Sequence, residues 1–224
     1  MKSKRTRALV LRRTNYGEAD RIVQFLTPEG KVSAIAKGVR KENSRLAGGI
    51  ELFAICEIVI SKGKSDLDIL TSARLIHFYN HILEDYERLQ FAYTSIKIIS
   101  SASENSDDPD WYDLLVEILS GLDLISIKIE LIQTWFYLRY ALITGYGLSL
   151  HKDINGKKVL PNLRYCYDLS ERGLKENING ELTSSHIKLL RLIASKSIKT
   201  LAQIGGIDEV LTDCLIIARQ HASI

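Results

Sequence analysis

The sequence predicts an α+β fold in which a β module precedes a helical domain. Two features of the 224-residue chain support this prediction. Short apolar runs separated by turn residues fill roughly the first third of the chain, and apolar residues then recur at helical spacing. The composition is 46% hydrophobic and 25% charged residues, which is typical of a soluble globular protein and excludes wholesale disorder.

The first part of the chain contains five predicted strands. They are Thr6–Tyr16, Arg21–Leu26, Lys31–Val39, Leu52–Ser61 and Leu67–Arg74. Thr27-Pro28-Glu29-Gly30 is a favourable hairpin turn, because Pro fixes one φ angle and Gly tolerates a positive φ. Phe25 and Phe53 are expected in the core, and Gly63–Asp66 falls in a turn. Five such strands favour a small barrel or a sandwich, and a basic five-stranded barrel matches the OB-fold, which binds single strands.

Helical periodicity dominates the remainder of the chain. The predicted helices are Asn80–Ser103, Trp111–Leu119 after a capping Asp110, Ile127–Thr144, His186–Ser195 after a capping Thr183 or Ser184, and Ile207–His221. Between them, the polar stretch at about 148–182 is expected to be an irregular insertion or a short hairpin. The predicted organisation is therefore an N-terminal OB-fold barrel over residues 1–78 and a C-terminal helical domain over residues 79–224.

Catalytic and metal-binding motifs are not found in the sequence. Three widely separated cysteines form no metal knuckle and fit a reducing cytoplasm, and no segment predicts a membrane span. His77 and His81 have a metal-binding spacing without a third ligand nearby. The acidic run Asp107–Asp113 permits a metal-dependent nuclease as an unfavoured alternative, because acids before a helix usually stabilise its start. We expect a protein that is not an enzyme and has no cofactor.

Positive charge is concentrated at the N-terminal end. Residues 1–80 contain 15 Lys and Arg against 8 Asp and Glu, whereas residues 81–224 contain 15 against 19. Such a block commonly marks a surface for a polyanion, with nucleic acid as the first candidate, although a merely solvated basic face has the same composition.

The candidate DNA-binding residues are basic side chains of the first strand and of the segment after the third, with one exposed aromatic side chain. They are Arg5, Arg7, Arg13, Tyr16, Lys37, Arg40, Lys41 and Arg45. Cations fix phosphates without reading sequence, and an aromatic ring beside a turn can stack on a base. Strand alternation predicts that Arg7 and Arg13 share one face of the first strand and that Arg12 lies on the other. Asp20 and Arg21 are expected to pair.

Several ordered motifs resemble a known family. Tyr16-Gly17-Glu18-Ala19-Asp20 is followed by Thr27-Pro28-Glu29-Gly30-Lys31, by Ala36-Lys37-Gly38-Val39-Arg40-Lys41 and by Ser44-Arg45-Leu46-Ala47-Gly48. Over about residues 8–74 this series resembles the bacterial recombination mediator family RecO. A weaker similarity continues from Phe136 to the pair Gly145-Tyr146.

The resemblance implies an N-terminal OB-fold and a C-terminal helical domain. It also implies binding of single- and double-stranded DNA, annealing of complementary strands, and cooperation with RecR. By resemblance, the protein assists RecA loading onto DNA coated with single-strand-binding protein, binds the C-terminal tail of that protein, and acts in the cytoplasm at the nucleoid. Lys37, Arg40, Lys41 and Arg45 occupy the basic segment of the family. An RNA- or ribosome-associated OB-fold protein is the alternative within the binding class.

One departure concerns a zinc module that many family members carry after the Gly-Tyr pair. The segment 148–182 contains only Cys166, so four-thiolate zinc coordination within it is impossible. Arg139, on an otherwise apolar helix, is a candidate cation for the carboxylate of the partner tail, and its alternative role is that of a structural arginine.

Overall fold

The computed structural model describes residues 3–63, 67–104 and 106–222. The chain forms two compact units, Met1–Asp123 and Leu124–Ile224. The first unit contains the five barrel strands and the first two α-helices, so the helical part of the sequence is divided between the units. The domain boundary expected at residues 78 and 79 stays a prediction. Of the predicted turn Gly63–Asp66, the last three residues lie outside the described residues.

The described residues of the first unit form five strands. They are β1 Ser3–Tyr16, β2 Asp20–Thr27, β3 Gly30–Ala36, β4 Ala54–Ser61 and β5 Asp68–Phe78. The strands close into a barrel in the order β1-β2-β3-β5-β4, with β3 and β5 parallel and the other neighbours antiparallel. This confirms the predicted barrel. β3 ends before the predicted Val39, because Gly38 takes a left-handed φ of 64° and turns the chain.

Alternate residues of the strands fill the barrel. Phe25 is fully buried, and Cys56 and Ile58 of β4 face the same core. Val39 and Ile50, from the connection between β3 and β4, complete this core. Burial raises the pKa of the Cys56 thiol to about 12, so this cysteine is a neutral packing residue. The expected core positions of Phe25 and Phe53 are confirmed.

A β-bulge changes the orientation of the first strand. β1 pairs with β4 through residues 3–9 and with β2 through residues 9–16, and its register shifts between Val10 and Arg12. Beyond the bulge, Arg13 lies opposite the buried Val23 and therefore points inward. Arg7 lies opposite the half-buried Glu57 on the outer face. The prediction that Arg7 and Arg13 share a face was wrong, because the extra residue reverses the alternation.

Two α-helices and two 3₁₀ segments complete the described part of the first unit. The 3₁₀ segments are Ala47–Gly49 and Asn80–Glu84, and the helices are α1 Tyr86–Ala102 and α2 Asp110–Asp123. The single helix predicted over 80–103 is divided, because the carboxylate of Asp85 accepts a hydrogen bond from the backbone N–H of Arg88 at 3.0 Å and caps α1. The N–H of Asp110 donates to the carboxylate of Asp108 at 3.0 Å, so Asp108 caps α2 in place of the predicted Asp110.

Hydrogen bonds and an ion pair join the barrel side of the first unit to α1 and α2. The Lys31 ammonium donates to the Ser100 carbonyl at 3.0 Å and forms an ion pair with Glu104 at the end of α1. The hydroxyls of Tyr79 and Ser120 hydrogen-bond at 3.1 Å. These contacts hold α1 and α2 against the strands.

The second unit is helical with one small hairpin. Its elements are α3 Ile129–Ile143, β6 Tyr165–Asp168, β7 Gly173–Glu176, α4 Ser184–Ser195, α5 Ile198–Leu201 and α6 Asp208–Ala222. α3 packs against α6 and α4, with a core that includes the fully buried Phe136, Leu190 and Ala218. Thr183 caps α4 in a reciprocal capping box with His186, as predicted for this position.

The insertion at 148–182 contains the predicted hairpin, and side chains hold it in place. The Tyr167 hydroxyl donates to Nδ1 of His221 at 2.8 Å, and Nε2–H of His221 donates to the Tyr146 carbonyl at 2.6 Å. The Arg172 guanidinium donates to the His221 carbonyl at 2.6 Å and stacks on the Tyr146 ring at 4.7 Å. This hairpin clasp joins β6, the β6–β7 turn and the end of α6.

Acidification should weaken the hairpin clasp. Burial, followed by the nearby Arg172 charge, lowers the pKa of His221 below 6.5, while its bond to the Tyr146 carbonyl acts in the opposite direction. Below about pH 6.5 the unfolded chain therefore binds the proton more readily than the folded chain. The free energy of unfolding consequently decreases as the pH is lowered. We expect thermal unfolding scans between pH 7.5 and 5.5 to show this loss of stability.

In His221→Gln the loss of stability between these pH values should be smaller. In the exposed control His151→Gln it should remain as in the unmodified protein. Equal pH dependence in all three proteins would contradict this role of His221.

Two adjacent glycines test how closely the β3–β4 connection approaches β5. A Cβ at Gly49 would overlap the carbonyl group of Ala73, whereas a Cβ at Gly48 meets no atom within 4 Å. Gly49→Ala should therefore lower the free energy of unfolding by about 1–3 kcal/mol through overpacking. Gly48→Ala should change it by less than about 0.5 kcal/mol, as exposed substitutions usually do. Urea denaturation measures both values, and equal midpoints would show that the connection does not pack against β5 as described.

Candidate nucleic-acid interface

The connection between β3 and β4, residues 37–53, is anchored against the β1–β2 turn. The N–H of Gly38 donates to the carboxylate of Asp20 at 2.7 Å, and the N–H of Arg40 donates to the Ala19 carbonyl at 2.9 Å. Val39 and Ile50 are buried in the barrel core. This basic connection is therefore held at two points, and the side chains between them project from a defined backbone.

Asp20 has a different partner from the one expected. Its carboxylate accepts the Gly38 N–H, whereas Arg21 donates to the Asn15 side chain at 3.1 Å. The expected pairing of Asp20 with Arg21 was wrong, because the turn brings the Gly38 amide to Asp20 and leaves Arg21 opposite Asn15 in the register. Asp20 thus anchors the backbone of the basic connection at Gly38.

Lys37, Arg40, Lys41 and Arg45 are all exposed on the basic connection. None of the four forms an ion pair with another described residue. Arg40 donates one long hydrogen bond, 3.4 Å, to the Gly17 carbonyl. The positive charges of these side chains are consequently available to an anionic ligand.

Tyr16 lies at the turn that Arg40 contacts. Its side chain is 54% exposed, and it precedes Gly17, whose φ of 56° makes the tight turn. Since Arg40 bonds the Gly17 carbonyl, the exposed ring and this guanidinium flank the same turn. We define the loop surface as the exposed side chains of this turn and of the basic connection. Its members are Tyr16, Lys37, Arg40, Lys41 and Arg45.

Arg5 and Arg7 lie on another part of the barrel. Both project from the outer face of β1 where it pairs with β4, opposite Val59 and Glu57 respectively. Glu57 is 4.0 Å from Arg5 and 3.5 Å from Arg74 of β5. We call Arg5, Arg7 and Arg74 the barrel-side patch. Arg74 was missed by sequence reasoning, because only the pairing of β4 with β5 brings it beside the first strand.

Arg13 belongs to neither surface. Its guanidinium donates to the Glu51 carboxylate at 2.8 Å and to the Ile50 carbonyl at 3.4 Å. Its side chain is only 24% exposed. Arg13 therefore braces the end of the basic connection, and its charge is already matched by Glu51.

Arg139 of α3 lies in the second unit and is half-buried. Its guanidinium stacks over the Trp135 ring at 5.4 Å from the centroid. Its Nε is buried and has no hydrogen-bond partner among the described residues. The stacking and the burial of Nε agree with a structural arginine.

The other candidates for chemistry have structural partners. Asp108 caps α2, His81 lies 3.4 Å from Asp123, and the ring of His77 packs edge-to-face on Tyr79. The described part of the chain contains no group of three or more His, Cys, Asp or Glu residues placed to hold a metal ion. Among the same residues, no helix has both the length and the apolar character needed to cross a membrane.

Comparison with known proteins gives consistent matches. The family models "Recombination protein O N terminal" and "Recombination protein O C terminal" match residues 1–79 and 83–221. DNA repair protein RecO of Dehalococcoides mccartyi strain 195 is 28% identical over 231 residues, covering 97% of this chain and 88% of the relative. DNA repair protein RecO of Heliobacterium modesticaldum is 34% identical over 173 residues, covering 76% and 57%. The protein of that name from Rubrobacter xylanophilus is 33% identical over 147 residues, covering 65% and 59%.

These matches extend over both units and confirm the resemblance inferred from the N-terminal motifs. The second family model alone covers more than half of the chain. The strand order of the barrel is that of an OB-fold, and helices follow it along the chain, as expected. The chain therefore belongs to the Recombination protein O family of recombination mediators in DNA repair.

Proposed function

We propose that the loop surface binds the phosphate backbone of single- and double-stranded DNA. The observation that carries this proposal is the set of four exposed cations on the basic connection, none of them in an ion pair with a described residue. Each can neutralise a phosphate and release a condensed counterion, which is the main source of sequence-independent affinity. Tyr16, exposed beside Arg40, adds a ring on which an unpaired base can stack.

The same barrel has a second basic surface, which supports a proposed annealing activity. The barrel-side patch holds three arginines around one glutamate, so positive charge remains after Glu57 is matched. A protein that neutralises two strands at once lowers their mutual repulsion and raises the local concentration of complementary bases. We assign one strand to the loop surface and the second to the barrel-side patch.

Membership of the family supports the proposed partners. We infer that the protein cooperates with RecR and assists RecA loading onto DNA coated with single-strand-binding protein. Arg139, half-buried on α3, is the proposed cation for the carboxylate of that protein's C-terminal tail. We propose a role that is not enzymatic, in the cytoplasm at the nucleoid.

A comparison of DNA with RNA separates this proposal from an RNA- or ribosome-associated role. The protein should bind a DNA single strand at least as tightly as an RNA single strand of the same sequence. A strong preference for RNA would indicate contacts to the 2′-hydroxyl and would overturn the DNA assignment.

Labelled DNA should stay intact when it is incubated with the protein and Mg²⁺ or Mn²⁺. Cleavage that is abolished by Asp108→Ala would establish the nuclease alternative.

The variant Lys37→Gln/Arg40→Gln/Lys41→Gln should bind DNA more weakly without unfolding, because these side chains are exposed. Loss of three phosphate contacts should make the slope of log K against log salt for a single strand less steep by about 2. Fluorescence anisotropy of a labelled strand at several salt concentrations measures this change, and circular dichroism checks the fold.

The matched control is Lys188→Gln/Lys196→Gln/Lys199→Gln, which removes the same charge from exposed positions of the second unit. This control should keep most of the affinity and the original slope. Equal weakening by both triple variants would mean that net charge, and not the loop surface, determines binding. Unchanged binding in the loop variant would refute the assignment of these residues.

A further inference from the structure

A groove of about 460 Å³ lies between the outer face of the β1–β2 ribbon and α1, within the first unit. Its floor includes the apolar side chains of Leu11 and Ile96. Arg12 and Gln24 lie on the strand side, and Tyr93 and Lys97 lie on the helix side. We call it the barrel–helix groove. None of these four polar residues belongs to the loop surface.

Tyr93 presents a positioned aromatic ring to the groove. Its side chain is 50% exposed, and its ring packs edge-to-face on Phe53 with centroids 5.0 Å apart. Phe53 is buried and has a left-handed φ of 59°, a conformation that bulky residues rarely adopt. Such backbone strain tends to occur where a side chain is held for function. Phe53 therefore fixes the ring of Tyr93 while leaving part of it open to a ligand.

The charged groups of the groove favour an anion. Arg12 and Lys97 are both exposed, and neither forms an ion pair with a described residue. Glu104, also at the groove, is already paired with Lys31. Gln24 lies directly opposite Arg12 in the strand register and offers an amide donor and acceptor. An aromatic ring, an amide and two cations are the groups that recognise a nucleotide unit.

The groove and the loop surface share one face of the β1–β2 ribbon. After the bulge the register is regular from Arg12 opposite Gln24 to Tyr16 opposite Asp20. Arg12, Thr14 and Tyr16 consequently point to the same side. The four steps along β1 from Arg12 to Tyr16 span about 13 Å. The groove and the turn that Tyr16 occupies are therefore close enough for a short length of single-stranded DNA to contact both.

We propose that the barrel–helix groove binds one nucleotide of a single strand, with the base against Tyr93 and the flanking phosphates on Arg12 and Lys97. The strand then follows the ribbon face to Tyr16 and the basic connection. This inference rests on the proposed DNA binding of the loop surface and extends its path. A base paired within a duplex is stacked between its neighbours and cannot enter such a groove. The groove therefore distinguishes single strands from duplexes, which the loop surface does not.

The test compares a labelled single strand with a duplex of the same sequence by fluorescence anisotropy, using the full chain. Tyr93→Leu should lower the affinity for the single strand about tenfold, as loss of one base–aromatic stack does. Affinity for the duplex should change less than about twofold, because the groove is closed to paired bases. The matched control is Tyr86→Leu, on the same helix but outside the groove and 73% exposed, and it should bind both forms like the unmodified protein.

A second variant keeps the proposal testable if Tyr93→Leu disturbs the packing on Phe53. Arg12→Gln/Lys97→Gln removes two exposed charges, so the slope of log K against log salt for the single strand should become less steep by about 1.4. The slope for the duplex should not change. Equal losses for the single strand and the duplex, or unchanged binding of the single strand, would overturn the proposal.

Other outcomes identify which inference fails. If the Lys37/Arg40/Lys41 variant loses DNA while both groove variants bind normally, the groove assignment is wrong and the proposed function stands. If the unmodified protein binds neither DNA form, both are wrong. If the groove variants lose binding of an acidic peptide but not of the single strand, the groove is a peptide site and the proposal is overturned.

Discussion

The positions of the candidate DNA-binding groups on the barrel depend on closure of the barrel through β1. This strand has 14 residues and serves two partners, pairing with β4 through its first half and with β2 through its second. A regular strand of this length cannot bend sharply enough to do both, and the bulge after Val10 supplies the bend. The same bulge turns Arg12 outward to the barrel–helix groove and Arg13 inward to Glu51. The bulge thus determines which of the two adjacent arginines faces the groove and which braces the basic connection.

Closure also determines how the basic connection is presented. The chain must travel from the end of β3 to the start of β4, and it is fixed by Val39 and Ile50 in the core and by the close approach of Gly49 to Ala73. Arg13 and Asp20 bind its ends. Between these anchors the cations have no carboxylate partner in the described residues. The Asp20 carboxylate accepts the Gly38 N–H, and Glu51 pairs with Arg13. The buried anchors limit the conformational entropy that the connection loses when it binds a polyanion.

Much of the architecture follows from local sequence, because turn residues and apolar periodicity act over short distances. Thr27–Gly30, the core position of Phe25 and the capping of α4 by Thr183 are all of this kind. The side-chain orientation of Arg13 was mispredicted, because a bulge depends on the competition between two strand partners. Arg74 and the groove residues were missed, because they meet only when β4 pairs with β5 and when α1 packs on the ribbon. The hairpin clasp joins Tyr167 to His221, 54 positions apart, which no local pattern marks.

The most direct test of the account is the salt dependence of binding between the unmodified protein and a labelled single strand. Four phosphate contacts on the loop surface predict a slope of log K against log salt of about −3, and occupation of the groove by the same strand makes it steeper, to about −4. A slope in this range would show that exposed cations of the barrel carry the binding. Binding that hardly changes with salt, or no binding at low salt, would contradict the central claim that these unpaired charges form a nucleic-acid interface.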